Sequence, residues 1–67
     1  MTELVTESKY HRTLHGFTLA AKRDERGLSQ QEFANLCGWT QSFQSQLERT
    51  EQSEVHIDIV NKILAIL

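Results

Sequence analysis

Apolar positions along the chain recur with a helical period. From Ser8 to Arg26, the residues Tyr10, Leu14, Phe17 and Ala21 follow one another at spacings of four, three and four, which predicts a single buried helical face. Gly16 interrupts that segment. A helix-interior glycine costs about 1 kcal/mol relative to alanine, so the pattern also allows two pieces, the second running from Phe17 to Arg26. Gly27 is the expected C-terminal stop. Residues 1 to 7 carry no periodicity and are expected to fray.

Ser29-Gln30-Gln31-Glu32 forms a capping box, so a helix starts there. Phe33, Leu36 and Cys37 give its buried stripe, Ala34 is a small residue on the flank, and Gly38 ends it. Thr40 is a good N-cap for the next helix, in which Phe43 and Leu47 lie four apart and Arg49 suits the C-terminal dipole. A loop is expected from Thr50 to about Glu54. The last helix, about Ile57 to Leu67, carries Ile57, Val60, Leu64 and Leu67 on one stripe and Ile59, Ile63 and Ile66 on an adjacent one. One stripe is enough for a core; the second predicts a surface for a partner helix.

With no proline, no repeat and few β-branched runs, the fold class expected is all-α: one small domain over residues 1–67, a bundle of four to five helices. A chain of 67 residues buries too little surface to build a large cleft. Cys37 alone excludes an internal disulfide, no charged leader precedes an apolar run, and the apolar C-terminal stretch is broken by Asp58, Asn61 and Lys62. A reduced, cytoplasmic protein without a membrane span is expected. No glycine-rich elbow or phosphate loop accompanies the Ser, His and Asp residues, so no enzymatic activity is expected. His11 and His15 stand four apart, and Cys37 and His56 are further conceivable ligands, but nothing completes a set. Neither metal nor cofactor is expected.

Two short helices joined through a glycine between Gln30 and Arg49 have the layout of a helix-turn-helix. The stretch Arg23-Asp24-Glu25-Arg26-Gly27-Leu28-Ser29-Gln30-Gln31-Glu32-Phe33-Ala34, then Gly38-Trp39-Thr40-Gln41-Ser42-Phe43 and Ser45-Gln46-Leu47-Glu48-Arg49, resembles the Cro and phage-repressor helix-turn-helix family, with its lambda-repressor-like fold. The resemblance covers roughly Leu19 to Leu67. It implies core positions at Leu19, Leu28, Phe33, Ala34, Cys37, Trp39 and Leu47, and a partly buried ion pair between Arg23 and Glu48. It implies base contacts from Thr40, Gln41, Ser42, Ser45 and Gln46. Phosphate contacts are implied for Gln30 and Arg49, and Lys22 and Arg26 on the first helix are further candidates.

Several positions depart from that family's pattern. Gln44 stands where the family places Ile or Val, and an unpartnered buried amide costs about 1 to 3 kcal/mol. Phe43 beside it is expected to rotate inward or to stand exposed on the recognition face. Trp39 replaces a small aliphatic, Thr50 replaces the glycine that ends the recognition helix, and no fifth helix follows. The formal net charge is -2, distributed unevenly: five basic residues face four acidic ones up to Gly27, and two face five from Leu28 onward. Glu51 and Glu54 occupy a loop where relatives place cations, and phosphate neutralisation supplies most non-specific affinity. DNA binding is therefore expected to need a homodimer, formed through Ile59, Ile63 and Ile66. The function expected is a sequence-specific transcriptional regulator, a repressor, on double-stranded operator DNA. The alternative is a protein-interaction module on the same fold, an anti-repressor or antitoxin-like partner engaging another protein through Phe43, Trp39 or the terminal isoleucines.

Overall fold

A computed structural model describes residues 4–7 and 11–67. The element order is β1 (Val5–Glu7), β2 (His11–Leu14), α1 (Gly16–Glu25), α2 (Gln30–Cys37), α3 (Gln41–Arg49), β3 (Ser53–His56) and α4 (Ile57–Ile66). The described chain is thus mostly helical, with a small antiparallel sheet in the order β1-β2-β3. This corrects the purely all-α expectation. Val5 pairs with Leu14 and Glu7 with Arg12, while His11 pairs with His56 and Leu14 with Ser53. The loop expected from Thr50 to Glu54 therefore runs into a strand at Ser53. The fraying expected for residues 1 to 7 does not extend to Val5–Glu7, which are held in the sheet; Lys9 and Tyr10 lie outside the described residues.

Of the two readings of this segment, the split at Gly16 holds: α1 begins there, His15 is still extended at φ -95° and ψ 102°, and the described residues before it, His11–Leu14, form β2 where a first helical piece was expected, Ser8 to Tyr10 lying outside the described residues. A strand is favoured here because β2 sits between β1 and β3 and pairs with both. Leu14 is fully buried, but Phe17 points out with 61% of its surface exposed and Ala21 is exposed as well. The inner face of α1 is instead Gly16, Leu19 and Arg23, with Thr18 beside them.

At the start of α1, Gly16 fits where no side chain can. A Cβ on it would lie 2.2 Å from the Leu47 carbonyl oxygen and 2.3 Å from that of Thr50. Backbone meets backbone at this crossing of α1 and α3, and the Gly16 N–H donates to the Glu51 carbonyl at 3.2 Å.

In α2 the capping box closes in both directions, the Glu32 N–H donating to Ser29 Oγ at 3.1 Å and the Ser29 N–H to Glu32 Oε1 at 3.0 Å. Phe33, Ala34 and Cys37 are buried, but Leu36, expected on the buried stripe, is 62% exposed. In α4 the core line falls between the two expected stripes: Val60 and Ile63 are buried, Ile59, Ile66 and Leu67 flank the core, and Leu64 is 53% exposed. The reason is that α4 packs on α2 and on the strands β2 and β3 together, so neither predicted stripe alone faces inward. Leu14, Leu19, Phe33, Cys37, Leu47 and Ile63 form the centre of the core. Among the described residues no helix is long and apolar enough to cross a membrane.

Candidate functional site

The α2–α3 pair is set by its junction. Gly38 closes α2 in the left-handed conformation at φ 85°, its N–H returning to the Ala34 carbonyl, and the Trp39 N–H bonds the same oxygen at 3.0 Å. Thr40 then caps α3 by accepting the Phe43 N–H on Oγ1 at 3.1 Å. At about 100° per residue, Gln41, Ser45, Arg49, Ser42 and Gln46 fall on one arc of about 140°, and Phe43, Leu47, Gln44 and Glu48 occupy the rest of the circumference.

That second face is fixed by a hydrogen-bond network. Arg23 donates to Glu48 through Nε at 2.7 Å and Nη2 at 2.9 Å, tying α1 to α3. Its Nη1 reaches Asp24 at 3.0 Å and the Leu28 carbonyl at 2.7 Å. Glu48 also accepts from Gln44 Nε2 at 2.7 Å and from Gln30 Nε2 at 3.1 Å. The Trp39 indole N–H completes the chain by donating to Gln44 Oε1 at 2.9 Å. Gln44 is fully buried with a partner on both its amide oxygen and its amide nitrogen, and its departure from an apolar residue is answered by Trp39 and Glu48. Burial by itself would raise the Glu48 carboxyl, but the hydrogen bonds from Arg23, Gln44 and Gln30, with the charge of Arg23, outweigh it and hold the carboxyl below its ordinary range. The bond to Glu48 likewise raises the Arg23 guanidinium against its burial.

The outer face of α3 is open. Gln41, Ser42 and Gln46 are exposed and Ser45 is half-buried. Gln41, Ser42, Ser45 and Arg49 line a polar groove of about 300 Å³ together with Gln30, whose side chain reaches it from the first turn of α2. Gln46 lies round the helix from the groove, and the Thr40 hydroxyl is occupied as a cap. Because its amide nitrogen is committed to Glu48, Gln30 offers the groove its carbonyl and one remaining N–H. Arg49 is exposed at the C-terminal end of α3, and Thr50 ends the helix in an extended conformation with Oγ1 donating to the Gln46 carbonyl at 2.9 Å. An extended exit needs no glycine.

Lys22 is half-buried and Arg26 exposed, the latter with its guanidinium on the Leu67 carbonyl. Phe43 is half-buried and meets Trp39 edge-on with ring centroids 5.2 Å apart, both packed against the core. Of the three isoleucines expected at a dimer interface, Ile63 is completely enclosed and is not available to a second copy while the core is intact; Ile59 and Ile66 keep partial exposure.

The helical His11–His15 pair does not exist, since His11 lies on β2 and His15 is the extended residue before α1. His11 is exposed with Nδ1 3.9 Å from Glu54, and His15 is buried with no hydrogen-bond partner on either ring nitrogen among the described residues. Burial pushes the Cys37 thiol up to about 11, leaving it neutral and unsuited to bind metal at pH 7. Among the described residues no group of three or more His, Cys, Asp or Glu side chains is placed to hold a metal ion.

Gln44 was the residue missed as a partner in this network. A signal existed, because Trp39 and Gln44 both replace small or apolar residues of the resembled pattern, and a donor and an acceptor five positions apart across a helix N-terminus can satisfy one another. Comparison with known proteins returned no matching family model, no matching curated protein and no matching solved structure.

Proposed function

We propose that α2 and α3 form a helix-turn-helix and that the chain is a sequence-specific DNA-binding regulator of transcription, acting as a homodimer. The observation that carries this reading is the division of α3 into two faces. One is locked to α1 and α2 through Glu48, and the other presents Gln41, Ser42, Ser45 and Gln46 outward, with Gln30 and Arg49 at the edges. A rigidly mounted helix with an uncommitted polar face suits insertion into a major groove, where hydroxyls and amides meet base edges and flanking groups meet phosphates. The regulatory sense proposed is repression, by occlusion of polymerase.

A protein-interaction module is the second reading, favoured by the exposed carboxylates Glu51 and Glu54 just beyond α3. Its aromatic anchors Phe43 and Trp39 are already half-covered by each other and by the core, which counts against it. Titration of the purified chain against random duplex DNA at rising salt separates the two. Binding at low salt that weakens steeply as salt increases supports the DNA reading; no binding at low salt removes it.

A further inference from the structure

We propose that Gln44 and Trp39 are positioning residues for the groove beside α3, holding Gln30 in one orientation on its wall through Glu48; for its consequence on duplex DNA the inference rests on the DNA-binding reading above. Neither residue lines the groove, whose walls are Gln30, Gln41, Ser42, Ser45 and Arg49. Their hold on it follows from which groups can only donate and which can only accept.

An indole N–H donates and never accepts. Trp39 therefore takes the oxygen of the Gln44 amide, at 2.9 Å, and leaves the nitrogen to face Glu48, at 2.7 Å. An ionised carboxylate accepts and never donates, with about four lone-pair sites over its two oxygens. Arg23 fills one site on each oxygen, through Nε on Oε2 at 2.7 Å and Nη2 on Oε1 at 2.9 Å, and Gln44 fills the second on Oε2. The place left is on Oε1, and Gln30 Nε2 takes it at 3.1 Å. Gln30 must enter with its nitrogen, so its carbonyl oxygen and second N–H stay on the open side. Withdrawing the Gln44 amide leaves Oε2 a donor short inside the core; the carboxylate re-seats among its remaining donors, and Gln30 loses its single pose. Glu48 is 5% exposed and Gln44 not at all, so bulk water does not replace the missing donor.

The test is a double-mutant cycle in the full 67-residue chain between Gln44→Met, which keeps the reach of the side chain and removes its amide, and Gln30→Ala. Its first readout is the Gln30 side-chain amide in heteronuclear NMR spectra. In the wild type the two amide protons should be well separated, one of them protected from exchange by the buried carboxylate; in Gln44→Met they should move to the positions of the exposed Gln41 and Gln46. A Gln44 that only stabilised the core would lower the urea midpoint and leave that signature in place. The second readout is affinity for the duplex that the wild-type chain selects from a random pool at low salt, at a temperature where circular dichroism shows every variant folded. Gln44→Met should weaken it about fivefold, the worth of one hydrogen bond, and by no more than about twofold once Gln30 is alanine. Trp39→Phe, which keeps an aromatic ring and removes the N–H, should move both readouts the same way, and it replaces Gln44→Met if that variant does not fold. Gln30 resonances that stay in place in the folded variant overturn the positioning role and leave the DNA-binding reading standing, as does an undiminished loss of affinity in the Gln30→Ala background. Retention of no duplex at low salt removes the DNA-binding reading alone, and the Gln30 resonances still decide the positioning.

Discussion

Gln44 has no exposed surface, yet both of its amide atoms are used, one accepting from Trp39 and the other donating to Glu48. Removing the amide leaves two buried groups short of a partner, and an orphaned buried donor or acceptor costs more than a made bond returns. Gln44→Leu should therefore destabilise the fold by about 2 kcal/mol in urea unfolding, even though leucine is the more usual core residue. Adding Trp39→Phe, which withdraws the orphaned indole N–H, should recover part of that loss. A Gln44→Leu protein as stable as the wild type would show that the network contributes nothing. At this scale the sequence was partly legible. The Ser29 box and the Thr40 cap follow from local chemistry that needs only three neighbouring residues, and both are made as bonds. The Gln44 network draws on α1, α2 and α3 at once, and no local rule reaches it.

Among the elements, α1 and α3 meet backbone to backbone. Gly16 admits the Leu47 and Thr50 carbonyls, so Gly16→Ala must push the two backbones apart, and overpacking of that kind costs about 3 kcal/mol. Gly27, by contrast, has open space and only a left-handed φ of 71° to protect; Gly27→Ala should cost about 1 kcal/mol in the same urea assay. Equal losses would show that the crossing is not tight. The same crossing carries the Arg23–Glu48 pair, which makes it sensitive to acid. Glu48 has a lowered folded-state value relative to an ordinary 4.5, so its stabilisation is present above that range and is lost as pH falls through the folded value. Urea midpoints should hold down to about pH 5 and then drop toward pH 3. Glu48→Gln should start about 3 kcal/mol lower at pH 7, because buried Arg23 loses its buried charge partner and keeps only the exposed Asp24 carboxylate, and should show a shallower acid drop. Glu32, also lowered by its bonds to Ser29, contributes to the slope that remains. An unchanged acid limb in Glu48→Gln would sink this assignment. Helix boundaries were legible from Gly27 onward, where caps and glycines punctuate the chain, whereas strand β3 at Ser53–His56 carries no such local mark and was read in part as loop. Before Gly16 they were not. Tyr10, Leu14, Phe17 and Ala21 imitate a helical stripe, but strand pairing of β2 to both β1 and β3 outweighs that periodicity, and Leu14 reaches the core from a strand.

Over the whole molecule, charge sets how any DNA binding must behave. The cations assigned to phosphates are Lys22, Arg26 and Arg49, with Glu51 and Glu54 exposed close to the last of them. Each neutralised phosphate contributes about -0.9 to the slope of log K against log salt. Three contacts give a slope of about -2.7 for one protomer on duplex DNA, and a dimer doubles it to about -5.4. The proposed homodimer can thus be read from salt dependence without knowing which surface joins the two copies, a useful separation now that Ile63 is enclosed in the core. Lys22→Ala sharpens the measurement. In a dimer it removes two contacts and should reduce the slope by about 2, whereas in a monomer the reduction is about 1, with base preference unchanged in either case. A slope near zero that does not respond to Lys22→Ala would mean that these cations meet no phosphates. The acidic exit from α3 would then define the working surface, and a protein would replace DNA as the partner.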